Sequence, residues 1–160
     1  ETEGGILVAT SADSELALRR AAKAGFIDYP VGATNFTITE TGESQLSDTQ
    51  RKGLDALQSR IVRLGGTGLV SLVSRIVRER LNRIIAYPVQ DETHWTDGDG
   101  RVLPDAFLVE KGTVAKGLAY AVHSDLGDGF IRAVDARSGR IIGADHELSD
   151  NAVVKIVAKT

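Results

Sequence analysis

The hydrophobic pattern of this chain changes its period at Ile84, and this change constrains the fold more than any other feature of the sequence. Before Ile84, apolar residues recur at spacings of three and four, as on one face of a helix. From Ile84 onwards they alternate with smaller or polar neighbours, which is typical of strands. The pattern therefore predicts helices in the first part of the chain and a sheet in the second.

The second part has the order strand, strand, helix and then further strands. This order indicates an α+β fold in which one helix packs on a mixed sheet, as in the ubiquitin-like β-grasp. A turn cluster at 97–100 separates the first two strands, and Thr113 is the expected cap of the helix, which ends near His123. The predicted strands cover residues 85–89, 106–109, 130–134, 140–142 and 153–157.

Two helices are predicted between residues 47 and 85. Ser47 and Gln50 have the spacing of a capping box, and the first helix that they open carries an apolar stripe from Leu54 to Leu64. Gly65-Gly66 ends this helix, and Thr67 is the expected N-cap of the second. The connection is short, so the two helices should form an antiparallel hairpin.

The N-terminal stretch reads as half of a βαβ unit. Residues 5–10 predict a buried parallel-type strand, and a helix follows from Ser11 to Gly25. No second parallel strand follows nearby, and the sequence has no methionine, even at position 1. Both features lead us to expect a fragment or a processed chain. Residues 26–46 are aperiodic, with one short extended piece at Phe36-Thr37-Ile38.

Several chemistries find no support in the sequence. There is no cysteine, which excludes thiol catalysis and disulfides and suits a reducing cytosol. The three histidines are far apart, and Leu108 stands where a calcium loop opened by Asp97 needs glutamate, so no metal site is expected. Gly65-Gly66-Thr67-Gly68 lacks the Lys-Ser/Thr ending of a P-loop. No catalytic residue and no membrane span are predicted.

The net charge of −3 hides a basic middle segment. Residues 51–83 carry eight basic and two acidic side chains, between two acidic flanks. Such a segment is either a solvated helix face or a surface that contacts phosphate backbone or an acidic partner. Aromatic residues that would stack on bases are absent from it, which argues against a sequence-reading single-strand binder.

Two segments resemble a known family of GTP-binding proteins. Thr10-Ser11-Ala12-Asp13, placed between the strand and the helix, resembles the guanine-contacting fifth motif of GTPases. Residues 103–157, from "LPDAFLVEKGTVAKG" to "NAVVKIV", resemble a TGS domain, which is a β-grasp module. Together with "GGTGLVSLVSRIV" and "AYPVQDE", the chain resembles the archaeal branch of the Obg-like, YchF-related GTPases over nearly its whole length.

The resemblance implies a cytoplasmic, ribosome-associated and translation-linked protein that uses GTP and Mg²⁺. This chain lacks the P-loop, the switch motifs and N-K-x-D, which hold the phosphates, the metal and the base. We therefore expect no cofactor and no GTP hydrolysis from this chain alone. The resemblance assigns guanine contact to Ser11, Ala12 and Asp13, provided that the rest of the GTPase domain of a parent chain is present.

The expected division is a GTPase-domain remnant at 1–35, a helical connector at 36–85 and a TGS domain at 86–160. The expected partners are the ribosome or RNA and the missing GTPase domain, with no membrane and no DNA. The basic residues proposed for these contacts are Arg75, Arg78 and Arg83 of the connector and Lys111, Lys116, Arg132, Arg137 and Arg140 of the TGS part. The alternative is a free-standing regulatory or RNA-binding TGS module.

Overall fold

The computed structural model of the chain describes residues 5–159 and divides it into two units. The N-terminal unit is Glu1–Ile76, and the C-terminal unit is Val77–Thr160. Among the described residues, no helix is both long and apolar enough to cross a bilayer.

The N-terminal unit is mainly helical. Its elements are α1 (Ala12–Lys23), β1 (Ile27–Asp28), β2 (Thr37–Ile38), α2 (Glu40–Gln45), α3 (Asp48–Leu64) and α4 (Leu69–Arg75). The strands β1 and β2 pair antiparallel, which confirms the predicted extended piece around Thr37. The helix α2 was not predicted.

One core joins α1, the short β1–β2 ladder and α3. Its buried residues are Leu18, Ile27, Tyr29, Leu54 and Ile61. The predicted remnant at 1–35 and the first helix of the predicted connector thus pack together as one body. The predicted capping box is confirmed, because the Ser47 side chain accepts from the Gln50 amide while the Gln50 side chain accepts from the Ser47 amide.

The strand predicted at residues 5–10 is wrong. These residues form neither helix nor strand, and Leu7 is 90% exposed. A parallel strand is stable only when neighbouring strands satisfy its backbone groups, and no described strand lies beside this segment.

The second predicted helix is shorter than its apolar pattern indicated. The helix α4 ends at Arg75, and a π-helical turn follows at Ile76–Arg80. Asn82 then takes a positive φ of 49°, which breaks the helix, and Ile84 is buried in the sheet instead. The helix α4 buries none of its residues and contributes none to the N-terminal core, so the expected helical hairpin shares no packed interior.

The C-terminal unit has the predicted β-grasp. Its elements are β3 (Arg83–Val89), β4 (Phe107–Glu110), α5 (Ala115–Val122), α6 (Ser124–Asp128), β5 (Phe130–Asp135), β6 (Arg140–Ile142) and β7 (Ala152–Ala158). The strand order is β4-β3-β7-β5-β6, with β3 and β7 parallel and the other neighbours antiparallel. The apolar face of α5, which includes Ala115 and Leu118, packs on one face of this sheet.

Two predicted caps, Thr67 and Thr113, are wrong, since each N-cap lies one residue later in the chain. Gly68 is the N-cap of α4, and the Thr67 hydroxyl binds elsewhere. Val114 is the N-cap of α5, where the Ala115 amide donates to the His146 carbonyl oxygen at 2.9 Å.

Candidate functional site

The family resemblance assigns guanine contact to the segment Thr10–Asp13, here called the guanine loop, which leads directly into α1. Ser11 occupies the N-cap position, and its hydroxyl donates to the Ser14 hydroxyl at 2.8 Å instead of capping a backbone amide. Ala12 and Asp13 are the first two helical residues, so their amides lie at the positive end of the helix dipole. Backbone N–H groups at such an end suit a carbonyl or anionic oxygen of a ligand.

A second loop, Gly66–Gly68, holds the guanine loop in place. The Ser11 amide donates to the Thr67 carbonyl oxygen at 2.8 Å. Gly68 has a φ of +79°, and a Cβ built on it would lie 2.0 Å from the Ala9 carbonyl oxygen. Only glycine permits this close approach of the two backbones. Further along α4, the Arg75 guanidinium donates to the Leu7 carbonyl oxygen at 3.2 Å.

A buried carboxylate joins the two loops through side chains. Glu15, in the first turn of α1, is only 4% exposed. Its Oε2 accepts hydrogen bonds from the Thr67 hydroxyl at 2.5 Å and from the Tyr29 hydroxyl at 3.0 Å. Its Oε1 accepts from Arg19 Nε at 2.7 Å. Every donor that a buried carboxylate needs is therefore supplied from within the N-terminal unit.

The carboxylate stays ionised in this environment. Burial alone raises the pKa of Glu15, but the hydrogen bonds from Thr67, Arg19 and Tyr29 outweigh burial and leave the pKa below its ordinary value. The pKa of Tyr29 is raised, first by burial and then by its bond to this carboxylate. The phenol consequently remains a donor at neutral pH.

Sequence reasoning missed this cluster. In the sequence, Glu15 is simply an acidic residue that the helix dipole favours in the first turn, and Thr67 is predicted only as a cap. The signal that was available is the spacing of Glu15 and Leu18, which places the charge on the same helix face as a core residue. A charge on a core-facing stripe needs a buried partner, but the sequence does not show that Thr67 supplies it.

The three connector arginines do not form one helix face. Arg75 lies on α4 in the N-terminal unit, whereas Arg78 and Arg83 belong to the C-terminal unit. Arg78 Nε lies 2.8 Å from Asp150 Oδ2, and Arg83 Nη2 lies 3.2 Å from Glu110 Oε1 on the neighbouring strand. Arg78 and Arg83 are thus engaged with carboxylates of their own unit.

The basic residues predicted in the TGS part fall into two groups. Lys116 and Arg137 contact aromatic rings, with Arg137 lying 5.0 Å from the centre of the Trp95 ring. The other three side chains are exposed: Lys111 follows β4, and Arg132 and Arg140 lie on β5 and β6. Ile131 and Ile141 on the same two strands are 53% and 68% exposed, so both strands of this hairpin carry exposed apolar and basic side chains.

The Asp97 carboxylate of the turn at 97–100 is bonded to groups of the same turn and of the residue after it. Asp97 Oδ1 accepts from the amides of Asp99 and Arg101, and Asp97 Oδ2 lies 2.7 Å from Arg101 Nε. No group of three or more His, Asp or Glu side chains within residues 5–159 is arranged to hold a metal ion.

The chain matches two known protein families and several known proteins. Residues 1–91 match the family model described as "Obg-like GTPase YGR210-like, G4 motif-containing domain", and residues 99–158 match the TGS domain. The chain is 42% identical over 153 residues to an uncharacterised GTP-binding protein of Methanocaldococcus jannaschii, covering 96% of this chain and 38% of that protein. An uncharacterised GTP-binding protein of Schizosaccharomyces pombe is 33% identical over 115 residues, covering 68% and 28%.

Among solved structures, the crystal structure of a GTP binding protein from Pyrococcus horikoshii OT3 matches with a TM-score of 0.67 and 39% identity. The match covers 96% of this chain and 38% of that one. The present chain thus spans well under half the length of the archaeal relatives that it matches.

Together the fold and these matches define a class, the GTP-binding proteins that carry a TGS domain. Within that class, the chain belongs to the YGR210-like family of Obg-like GTPases.

Proposed function

We propose that this chain supplies base recognition and a TGS module to a GTP-binding protein. The observation that carries the proposal is the fixed guanine loop, because Ser11 is bonded to Thr67 and Gly68 packs on the backbone of the same segment. A loop held before the ligand arrives loses little entropy on binding. The amide of Ala12 is the group that the family resemblance assigns to the guanine O6.

GTP and Mg²⁺ are proposed for the longer protein, and this chain alone is not expected to hydrolyse GTP. Its sequence has no G-x-x-x-x-G-K-[ST] and no N-K-x-D. The groups that cradle phosphate and hold the metal in P-loop GTPases reside in such motifs. Isothermal titration of the chain with GTP should give no measurable heat, and micromolar binding with turnover would contradict this part of the proposal.

A chimera tests the base-recognition role directly. In it, this chain replaces the matching 38% of the Pyrococcus horikoshii GTP binding protein. We expect the chimera to bind GDP in preference to ADP, as measured by competition with a fluorescent guanine nucleotide. A folded chimera that binds neither nucleotide, or both equally, would refute the proposal.

Ala12 offers a substitution that removes one amide and little else. Proline is tolerated at the first helical position, so Ala12→Pro deletes the N–H while the helix is retained. We expect the GDP affinity of the chimera to fall by roughly tenfold, the usual scale for one hydrogen bond in a dry site. Ala12→Ser keeps the amide and is the matched control, with an affinity close to that of the parent.

We further propose that the TGS module contacts the ribosome or its RNA, in the cytoplasm. What supports this is the exposure of Arg132 and Arg140, and of Ile131 and Ile141, on the strands β5 and β6. Arginine with an apolar neighbour is a common composition of RNA and protein interfaces. Arg78 and Arg83 are the weaker candidates, because both are paired with carboxylates.

Co-sedimentation with 70S ribosomes tests the contact. Binding should weaken steeply as salt rises if phosphates are involved, and the Arg132→Ala/Arg140→Ala double variant should reduce it several-fold. Arg78→Ala/Arg83→Ala removes the same charge from the same unit and should reduce it less. If the two double variants lost ribosome binding equally, the attraction would be nonspecific, and the surface assigned to Arg132 and Arg140 would be contradicted.

A further inference from the structure

The buried carboxylate of Glu15 has no place in the contacts described for guanine recognition, yet it lies one helical turn from the loop that makes them. Glu15 is the fourth residue of α1, and its own amide donates to the Ser11 carbonyl oxygen at 3.1 Å. Its side chain reaches the Thr67 hydroxyl, and the Thr67 carbonyl oxygen accepts from the Ser11 amide. Ser11, Glu15 and Thr67 therefore form a closed ring of hydrogen bonds around the start of the helix.

We propose that Glu15 and Thr67 are positioning residues that set where the Ala12 amide points, so that the loop distinguishes a purine with a 6-oxo group from one without it. This inference rests on the proposed base-recognition role. Neither side chain is available to a ligand, since both Glu15 and Thr67 are only 4% exposed. They act through the backbone of Ser11, the neighbour of Ala12.

The chemistry of the ring explains why these two residue types are required. A carboxylate with a pKa below its ordinary value is ionised at neutral pH and makes short, directional bonds to hydroxyl donors. Thr67 alone among its three donors belongs to the loop that also binds the Ser11 amide. Removal of its hydroxyl frees residue 67 to rotate and releases the acceptor of Ser11.

The chain also contains matched controls. Thr67→Val removes the hydroxyl with little change of shape, and Thr67→Ser restores it. Tyr29→Phe removes a different donor from the same carboxylate oxygen and leaves both partners of every hydrogen bond in the ring present. A general loss of stability would affect Thr67→Val and Tyr29→Phe alike, whereas loss of positioning affects only Thr67→Val.

The first measurement uses the 160-residue chain without nucleotide. Hydrogen exchange of the Ser11 amide should become roughly tenfold faster or more in Thr67→Val, as expected for loss of a buried bond, and should stay near the parent rate in Thr67→Ser and Tyr29→Phe. An unchanged rate in Thr67→Val would overturn the proposal.

The second measurement uses the chimera and two probes, GDP and the 5′-diphosphate of 2-aminopurine riboside, which lacks the 6-oxo group. Thr67→Val should lower the affinity for GDP by roughly tenfold, which is the scale of one lost hydrogen bond. The affinity for the 2-aminopurine nucleotide should stay unchanged. Thr67→Ser and Tyr29→Phe should keep the parent ratio of the two affinities. Equal weakening of both probes, or no weakening, would show that the ring is only structural and overturn the proposal.

Failure of the base-recognition role and failure of the positioning inference give different results. If the unsubstituted chimera does not prefer GDP, the base-recognition role itself fails and this inference falls with it. If the unsubstituted chimera prefers GDP while Thr67→Val keeps the same ratio, the role stands and only the positioning inference is refuted.

Discussion

Both units of this chain have an apolar core, but they differ in the polar side chains that they bury. The C-terminal unit has an apolar core in which strand residues such as Ile84, Val109 and Val154 meet Leu118 of α5. The buried polar side chains among the described residues, Ser14, Glu15 and Thr67, all lie in the N-terminal unit. An apolar core tolerates local change by repacking, whereas a charged network depends on every partner. We therefore expect that loss of a single hydrogen-bonding group destabilises the N-terminal unit most. Loss of side-chain volume should destabilise the C-terminal unit most.

The largest effect is expected from a cavity in the C-terminal core. Leu118 is fully buried, so Leu118→Ala should lower the free energy of unfolding by about 3 kcal/mol. Urea unfolding followed by the fluorescence of Trp95, the single tryptophan, reports on this unit. Leu108→Ala is the control, because Leu108 is 50% exposed and should cost less than about 1 kcal/mol. Equal losses of unfolding free energy in the two variants would show that burial of a leucine does not determine its contribution to the stability of this unit.

The next effect tests the close approach of backbones in the N-terminal unit. Gly68→Ala places a methyl group against the Ala9 carbonyl oxygen and adds strain at positive φ, so we expect a loss of at least about 2 kcal/mol. Gly65→Ala shares the positive φ, but its Cβ would meet nothing within 4 Å, so only about 1 kcal/mol should be lost. Native-state hydrogen exchange of α1 amides measures both. If Gly68→Ala lost no more stability than Gly65→Ala, the segment 5–10 would have to move away from the added methyl group without a loss of stability.

A pH series tests the charged network of the same unit. The folded pKa of Glu15 lies below its unfolded value, so the stabilisation is present above about pH 4.3 and is lost as pH falls through the folded pKa. Glu15→Gln should cost about 1.5 kcal/mol at pH 7, and this difference from the parent should shrink on acidification. Exchange of α1 amides at several pH values measures it. A difference independent of pH down to the acid transition would show that charge is not what the site requires.

The smallest effect should come from the exposed pair of the C-terminal unit. Arg83 and Glu110 face each other across β3 and β4, and both side chains are well exposed. Arg83→Ala should therefore change the free energy of unfolding by about 0.5 kcal/mol or less, and less still in high salt. The Trp95 transition in urea provides the measurement. A loss above about 1 kcal/mol would require a role for the arginine stem in packing.

The same contrast explains which features the sequence could predict. The β-grasp was predicted because each strand carries its alternation locally, and the Ser47–Gln50 cap because both partners lie within four residues. The strand at 5–10, the cap at Thr67 and the end of α4 were predicted wrongly. Their outcome depends on contacts between distant segments, such as Glu15 with Thr67 or Ile84 with the sheet. Local propensity carries no information about such partners.

The parallel pairing of β3 with β7 has a consequence for the order of events during synthesis. These are the first and last strands of the C-terminal unit, and they lie side by side inside the sheet, with Ala86 opposite Ala152. While the chain is being made, β3 and β4 can close into a hairpin, but the interior strand is still missing. The unit can complete its fold only after β7 has left the ribosome, since a non-local pairing of this kind cannot form in pieces. A stop codon placed just before Ala152 would therefore remove the middle of the sheet and not its edge.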